Sequence, residues 1–197
     1  MSEPATQTSG LVHSRLLPEL FAGYEDGDAL TVLDLGSGSA STVAFLSHFR
    51  ARIFFADLLE HPMSLAPGDE PNPLGLQQTI ARQLALPDDI QIDVCLLWDY
   101  LHYIELPTLE ALSAVLSPRL HRNSRGYGFG ALHGHKPLDS NRYGIADRNH
   151  LIAQPEPDEP RYFAHSQQRL NEHFPAMRIR RGTLLREGRL ELLFTVD

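Results

Sequence analysis

The chain has 197 residues, a formal net charge of −8 and a single cysteine, Cys95. This length suits one α/β domain with a sizeable core, and the negative charge argues against general nucleic-acid binding. One cysteine excludes an internal disulfide. The N-terminus lacks the basic start and apolar run of a signal peptide, and no apolar run reaches the roughly 20 residues of a membrane span. We therefore expect a cytoplasmic protein with no membrane partner.

The beginning of the chain has apolar residues at helical spacing, interrupted by Pro18. This pattern predicts an N-terminal helical segment over residues 1–24, with one or two short helices. We expect residues 25–197 to form a single domain.

Buried strands and helices alternate after this segment. Residues 28–35 and 51–58 favour strands, and residues 41–49 favour a short helix between them, with Val43, Leu46 and Phe49 inward. Residues 74–86 favour a second helix, and residues 90–101 favour a strong central strand. Such alternation predicts a doubly wound, mostly parallel sheet with helices on both faces.

The second half of the chain continues this pattern. Residues 106–120 favour a helix and residues 126–133 a glycine-rich strand, whereas residues 134–164 read as mostly loop. The end favours a helix, a strand, a turn at Glu187 and Gly188, and a final strand. This ending predicts an antiparallel hairpin at one edge of the sheet.

A glycine-rich turn follows the first predicted strand of the domain, where Asp34, Gly36 and Gly38 stand in the run D-L-G-S-G-S-A. Glycines between a strand and a helix offer free backbone N–H groups and a close approach for a ligand. The dinucleotide fingerprint G-x-G-x-x-G/A is matched poorly, because its last position is Ser41.

This run resembles the first motif of class I S-adenosylmethionine-dependent methyltransferases, an acidic residue followed by G-x-G-x-G, with Ala40 in place of the third glycine. Asp57, at the end of the second predicted strand, matches the family's acidic residue that binds the ribose hydroxyls. Residues 93–104, DVCLLWDYLHYI, look like the family's fourth-strand motif. The resemblance covers about residues 25 to 197.

The resemblance implies a seven-stranded sheet and S-adenosylmethionine as the cofactor. The third strand is hard to find in this sequence, so we expect it to be reduced. The family's acidic or amide residue at the adenine has Gln83 as its nearest counterpart. The implied cofactor-binding residues are Asp34, Gly36, Ser37, Gly38, Asp57, Leu58, Gln83, Trp98 and Asp99.

Candidate general bases are histidines that follow the fourth and fifth predicted strands, namely His102, His133 and His135. An unperturbed imidazole titrates at about pH 6.5, which suits a base at neutral pH. Surface or capping histidines are the alternative interpretation. The H-G-H sequence has no nearby third ligand, so we expect no metal site.

Candidate substrate contacts are Asn141, Arg142 and Tyr143, which lie in a polar and aromatic segment. A solvated loop is an equally good interpretation of this segment.

The leading hypothesis is a methyltransferase acting on an O or N atom of a small molecule or a protein side chain. The sequence N/D-P-P-Y/F, typical of enzymes that methylate base or glutamine amino groups, is absent after the fourth strand. The alternative is an inactive methyltransferase-like interaction module, favoured by Ala40 and the missing adenine acid but disfavoured by Asp34 and Asp57. A protein partner or a homodimer is compatible with either hypothesis.

Overall fold

The computed structural model describes residues 10–56, 72–132, 139–156, 160–185 and 188–197. The strands in this part of the chain are β1 (Gly10–His13), β2 (Ala29–Asp34), β3 (Arg50–Phe55), β4 (Ile92–Trp98), β5 (Leu120–Ala131), β6 (Asn141–Asp147), β7 (His150–Pro155), β8 (Arg178–Leu184) and β9 (Arg189–Thr195). The α-helices are α1 (Leu17–Leu20), α2 (Ala40–Leu46), α3 (Pro73–Leu84), α4 (Leu106–Leu116) and α5 (Gln167–His173). Single 3₁₀ turns cover Tyr100–His102 and Ser117–Arg119.

The main sheet has the strand order β3-β2-β4-β5-β9-β8. The pairs β2–β3, β2–β4 and β4–β5 are parallel, whereas β9 pairs antiparallel with both β5 and β8. Six strands form this sheet in the described part of the chain, one fewer than the resemblance implies. The described residues between α3 and β4 form no strand, so β3 lies at the edge of the sheet as described.

The reversal of chain direction at β2 locates a crevice in this sheet. The chain passes from β2 to β3 on one side and then crosses to β4 on the other side. In open α/β sheets, ligands bind beyond the carboxyl ends of the strands at such a switch point. The turns that follow β2 and β4 therefore border the expected binding crevice.

The prediction of a helical N-terminal segment is wrong for residues 10–13, which form β1. This strand pairs antiparallel with β7 in a second sheet of order β1-β7-β6. Only α1, with Pro18 near its start, is helical in the described part of residues 1–24. Pairing with a distant strand overrides the local apolar spacing, which cannot by itself distinguish a short strand from a helix.

The prediction of a mostly loop region after β5 is also wrong, because residues 141–155 form the hairpin β6–β7. Tyr143 and Ile145 are buried on β6, and a turn at residues 148–149 joins the strands. The alternation of these two residues in the sequence was a strand signal that the nearby prolines obscured.

Two apolar clusters cover the two faces of the main sheet. One includes residues of α3, α4 and α5, and the other includes residues of α1 and α2 and of the small sheet. Leu46 and Phe49 are buried as expected, but Val43 is 46% exposed because α2 turns Thr42 and Phe45 inward instead. No helix in the described residues is long and apolar enough to cross a membrane.

Candidate functional site

The Asp34 carboxylate joins the turns that follow β2 and β4. This side chain is 1% exposed, and its Oδ1 accepts hydrogen bonds from the Gly36 N–H (2.9 Å) and the Trp98 indole N–H (2.7 Å). Hydrogen bonds to a carboxylate are among the stronger ones in proteins. Asp34 therefore fixes the position of the glycine turn relative to the end of β4.

The two glycines of this turn lie against aromatic side chains of the chain itself. Gly38 has a φ of +72°, and a Cβ there would lie 2.8 Å from the Phe55 ring. A Cβ on Gly36 would lie 3.1 Å from the Trp98 indole. Packing within the protein therefore favours glycine at both positions, and the positive φ of Gly38 adds to this preference.

Trp98 lines the crevice at the end of β4. Its φ of +49° is in the left-handed region, which is unusual for a bulky residue. Its indole stacks on the Tyr143 ring with 5.3 Å between ring centroids and 16° between planes. Backbone strain of this kind concentrates at functional sites, so the end of β4 is a candidate for one.

A small cavity remains beside this stack, with a volume of about 10 Å³. That volume accommodates about one water molecule, whereas ligand pockets measure roughly 300 Å³ or more. The cavity brings predicted cofactor residues together with the three predicted substrate residues. Its lining residues are Leu35, Gly36, Ser37, Trp98, Asp99, Tyr100, Asn141, Arg142 and Tyr143.

Asp99 is the charged group buried in this cavity wall, with 1% exposure. Its Oδ2 lies 3.4 Å from the Tyr143 hydroxyl, which donates to it, and 3.6 Å from the Arg189 guanidinium. Its Oδ1 is buried without a hydrogen-bond partner in the described structure. Burial raises the pKa of Asp99 to about 6, and the positive charge of Arg189 opposes this shift.

Arg189 is a site residue that the sequence reasoning missed. It donates hydrogen bonds to the Tyr143 hydroxyl and to the Asp139 backbone oxygen. Because β9 runs antiparallel to β5, its first residue lies opposite Ala131 near the carboxyl end of β5. The position of an arginine at the start of the predicted last strand could therefore have indicated that it lies near the carboxyl ends of the parallel strands.

His102 lies outside the cavity. It is 1% exposed, its ring stacks on Tyr162 with centroids 5.5 Å apart, and its Nδ1 lies 3.4 Å from the Phe163 backbone oxygen. Burial lowers the pKa of His102 to about 4, with the nearby His165 adding to the shift. The imidazole is therefore neutral at pH 7 and a weaker base than an exposed histidine.

The other predicted residues are distributed as follows. The Nε of Arg142 donates to both carboxylate oxygens of Glu156 (3.0 and 2.7 Å), and Asn141 donates to the Asp139 backbone oxygen (2.9 Å). Gln83 is half-buried on α3 and does not line the cavity. The positions outside the described residues are Asp57, Leu58, His133 and His135.

The described residues contain no group of three or more His, Cys, Asp or Glu side chains that could hold a metal ion. The polar groups beside the cavity include Asp99, Arg189 and the Tyr143 hydroxyl.

No protein-family model matches the chain, and no curated protein matches it either. Solved structures of methyltransferases align with it at low identity. Mitomycin 7-O-methyltransferase MmcR aligns with a TM-score of 0.49 and 16% identity over 92% of this chain and 53% of its own, so this chain spans about half its length.

Two further structures align at the same level. A methyltransferase from Clostridium acetobutylicum aligns at TM-score 0.49 and 13% identity, covering 87% of this chain and 85% of its own. The 1,6-didemethyltoxoflavin-N1-methyltransferase of Burkholderia thailandensis, with bound S-adenosylhomocysteine, aligns at TM-score 0.49 and 18% identity. The alignment covers 93% of this chain and 78% of its own.

Proposed function

We propose that the chain is an S-adenosylmethionine-dependent methyltransferase that binds its cofactor in the crevice between the carboxyl ends of β2 and β4. The observation that carries the proposal is Asp99, a buried carboxylate whose Oδ1 has no partner in the described structure and which shares a cavity with Gly36. The parallel strands β3-β2-β4-β5, extended by antiparallel β9, support it, because the resembled family has such a sheet.

The chemical character of the crevice fits this cofactor. The methionine end carries a sulfonium and an ammonium group, both cationic, and a buried carboxylate without a partner favours a cation. The turn from Asp34 to Ser37 and the Asp99 carboxylate would hold this end. Asp57 and Leu58 are proposed for the ribose, and Gln83 for the adenine, from the sequence resemblance.

The bound cofactor would supply a methyl group on sulfur for in-line displacement by an O or N atom of a small molecule or a protein side chain. The protein's contribution is alignment and exclusion of water. Trp98 and Tyr143 form the apolar wall that excludes water, and Arg189 holds the Asp99 carboxylate in place. The cavity of about 10 Å³ in the described residues is smaller than the cofactor, so this proposal requires the cavity to enlarge.

Isothermal titration with S-adenosylmethionine and S-adenosylhomocysteine tests this proposal. We expect micromolar binding of both, about −8 kcal/mol. Asp57→Ala should weaken binding at least tenfold, because a carboxylate accepts hydrogen bonds from both ribose hydroxyls. Asp88→Ala, at a fully exposed position, is the matched control and should leave affinity unchanged. No heat at millimolar ligand would contradict the proposal.

A second function, a non-catalytic interaction module, is favoured by one specific observation. The Trp98–Tyr143 stack fills the crevice so far that the cavity holds only about 10 Å³. A module of this kind would keep the stack closed and would bind no cofactor. The same titration separates the two functions, because a folded protein that gives no heat with either ligand supports the module.

A further inference from the structure

A cleft of about 320 Å³ lies between α2 and the end of β6. Asp26, which lines it, precedes the first residue of β2, whereas the proposed cofactor crevice begins after the last residue of β2. The lining residues are Asp26, Ala44, Phe45, His48, Phe49, Ala146, Asp147 and Arg148. Small-molecule sites measure roughly 300–1,000 Å³, so this cleft is large enough for a ligand that the proposed function does not use.

The apolar part of the cleft is formed by side chains that the protein core holds in place. The Phe45 and Phe49 rings are 7% and 6% exposed, and both pack on Phe21, with ring centroids 5.0 and 5.9 Å apart. Ala44 and Ala146 are exposed, and their small side chains take up little of the space beside the rings. This apolar surface is therefore ordered before a ligand binds, which lowers the entropic cost of binding.

The one arginine of the cleft lining is already used within the protein. The Arg148 guanidinium lies over the Phe49 ring, 5.6 Å from its centroid. It also lies 3.6 Å from an Asp26 carboxylate oxygen and donates a hydrogen bond to the Tyr24 backbone oxygen (3.3 Å). The positive charge of Arg148 is therefore paired with one of the two carboxylates in the lining.

The second carboxylate, Asp147, supplies negative charge in excess. Its Oδ1 accepts a hydrogen bond from the Asn149 backbone N–H (2.7 Å), and this bond lowers the pKa of the carboxyl, so Asp147 is ionised at pH 7. Two carboxylates and one guanidinium leave the lining with more negative than positive charge. The chain as a whole also carries a net charge of −8. Both charges favour a cationic ligand over an anionic one.

We propose that this cleft is a second small-molecule site, that its ligand is a small primary amine with an aromatic ring, and that the ammonium group lies beside the carboxylates of Asp26 and Asp147. The inference does not depend on the proposed function, because no described residue lines both this cleft and the cavity beside Gly36.

The chemistry of the lining defines this ligand class. A carboxylate only accepts hydrogen bonds and an ammonium only donates them, so the two groups are complementary in charge and in hydrogen bonding. An aromatic ring matches Phe45, because aromatic pairs have favourable edge-to-face contacts. The position of Arg148 over Phe49 shows that this aromatic surface accommodates a cation.

The first test is a titration of ¹⁵N-labelled protein with 2-phenylethylamine, followed by NMR at low ionic strength and pH 8, where the amine is protonated and an ordinary imidazole is neutral. We expect saturable shifts of the Ala44, His48 and Asp147 amides, with a dissociation constant of about 1 mM or lower. The neutral 2-phenylethanol and the anionic 3-phenylpropanoate should bind at least roughly threefold more weakly. Absence of saturable shifts at these amides, or equal or tighter binding of either analogue, would overturn the proposal.

The second test places a larger side chain in the cleft. Ala44→Leu should weaken 2-phenylethylamine binding at least roughly tenfold, because the added atoms occupy the space of the ligand. Val43→Leu is the matched control, since Val43 is exposed on the same helix but does not line the cleft. Equal affinities of the two variants would overturn the proposal. A thermal melt of each variant confirms that it is folded.

The third test removes the excess charge. Asp147→Asn keeps an oxygen for the Asn149 N–H and should weaken amine binding at least roughly threefold. Asp88→Asn makes the same change in net charge at a fully exposed position outside the cleft and should leave the affinity unchanged. Equal effects of the two substitutions would overturn the assignment of the ammonium group. Titration of the same samples with S-adenosylmethionine tests the proposed function separately.

Discussion

Two buried carboxylates near tyrosines, Glu191 and Asp99, differ in how completely they are satisfied. Glu191 is 0% exposed, and its two oxygens accept hydrogen bonds from the Tyr127 hydroxyl and the Arg15 backbone N–H. Asp99 is 1% exposed, and its Oδ1 has no partner in the described structure.

This difference supports the proposal that Glu191 has a structural role and Asp99 a functional one. A buried polar network that is fully satisfied adds rigidity and specifies one structure, whereas a partly satisfied network costs stability. The Glu191 network attaches the segment between β1 and α1 to the main sheet. The Asp99 network, at the crevice between β2 and β4, leaves Oδ1 without a partner in the described structure.

The largest expected effect is the loss in the free energy of unfolding caused by replacing Glu191. Glu191→Ala leaves the Tyr127 hydroxyl and the Arg15 N–H without their acceptor, so we expect a loss of roughly 2–5 kcal/mol in the free energy of unfolding. Asp99→Ala should cost clearly less, because it also removes an unsatisfied oxygen. Urea unfolding of both variants measures the difference, and the reverse order would contradict the comparison.

The second-largest expected effect is a pH dependence of the free energy of unfolding that is caused by the titration of Asp99. Its pKa rises from 3.8 in the unfolded chain to about 6 in the folded protein. The folded state therefore holds a proton that the unfolded state has released between about pH 4 and pH 6, so stability falls as the pH rises through this window. At pH 7 the cost is roughly 3 kcal/mol relative to pH below 4.

Asp99→Asn isolates this effect. The pKa of His102 is lowered to about 4, so its contribution is lost as the pH falls below about 6.5 and opposes that of Asp99. His102 is present in both proteins, and the difference between wild type and Asp99→Asn should therefore reflect Asp99. Urea unfolding between pH 4 and pH 7 measures it. Parallel pH profiles for the two proteins would contradict the burial of an ionised Asp99.

The smallest effect concerns two glycines with positive φ. Gly27 has a φ of +89° and open space around it, whereas a Cβ on Gly38 would meet the Phe55 ring. Gly27→Ala should cost about 1 kcal/mol, from backbone conformation alone, and Gly38→Ala about 1 kcal/mol more. In the Phe55→Ala background, the additional cost of Gly38→Ala over Gly27→Ala should disappear, as measured by urea unfolding. An excess that persists there would show that Phe55 is not its cause.

Short-range patterns predicted the elements around the crevice. The glycine turn after β2 and the apolar run of β4 place Gly36, Trp98 and Asp99 at the ends of neighbouring parallel strands. The alternation of strands and helices was enough to predict this, because the carboxyl ends of such strands meet at one edge. The helix α4 lies within its predicted segment, and α3 begins at Pro73, one residue before its predicted segment.

Long-range contacts could not be predicted in the same way. The strand β1 exists because β7 pairs with it, and residues more than 130 positions apart form that ladder. In the described part of the chain, the cavity beside Gly36 is bordered by the Trp98–Tyr143 stack, which also joins distant parts of the chain.

The most direct measurement of the central claim compares wild type with Asp99→Asn in two assays on the same preparation. Titration with S-adenosylmethionine should give at least tenfold weaker binding for Asp99→Asn, because the amide carries no charge to attract the cationic methionine end. Urea unfolding at pH 7 should show the variant to be at least as stable as wild type. Unchanged affinity together with lower stability would contradict the account, because Asp99 would then be a structural carboxylate like Glu191.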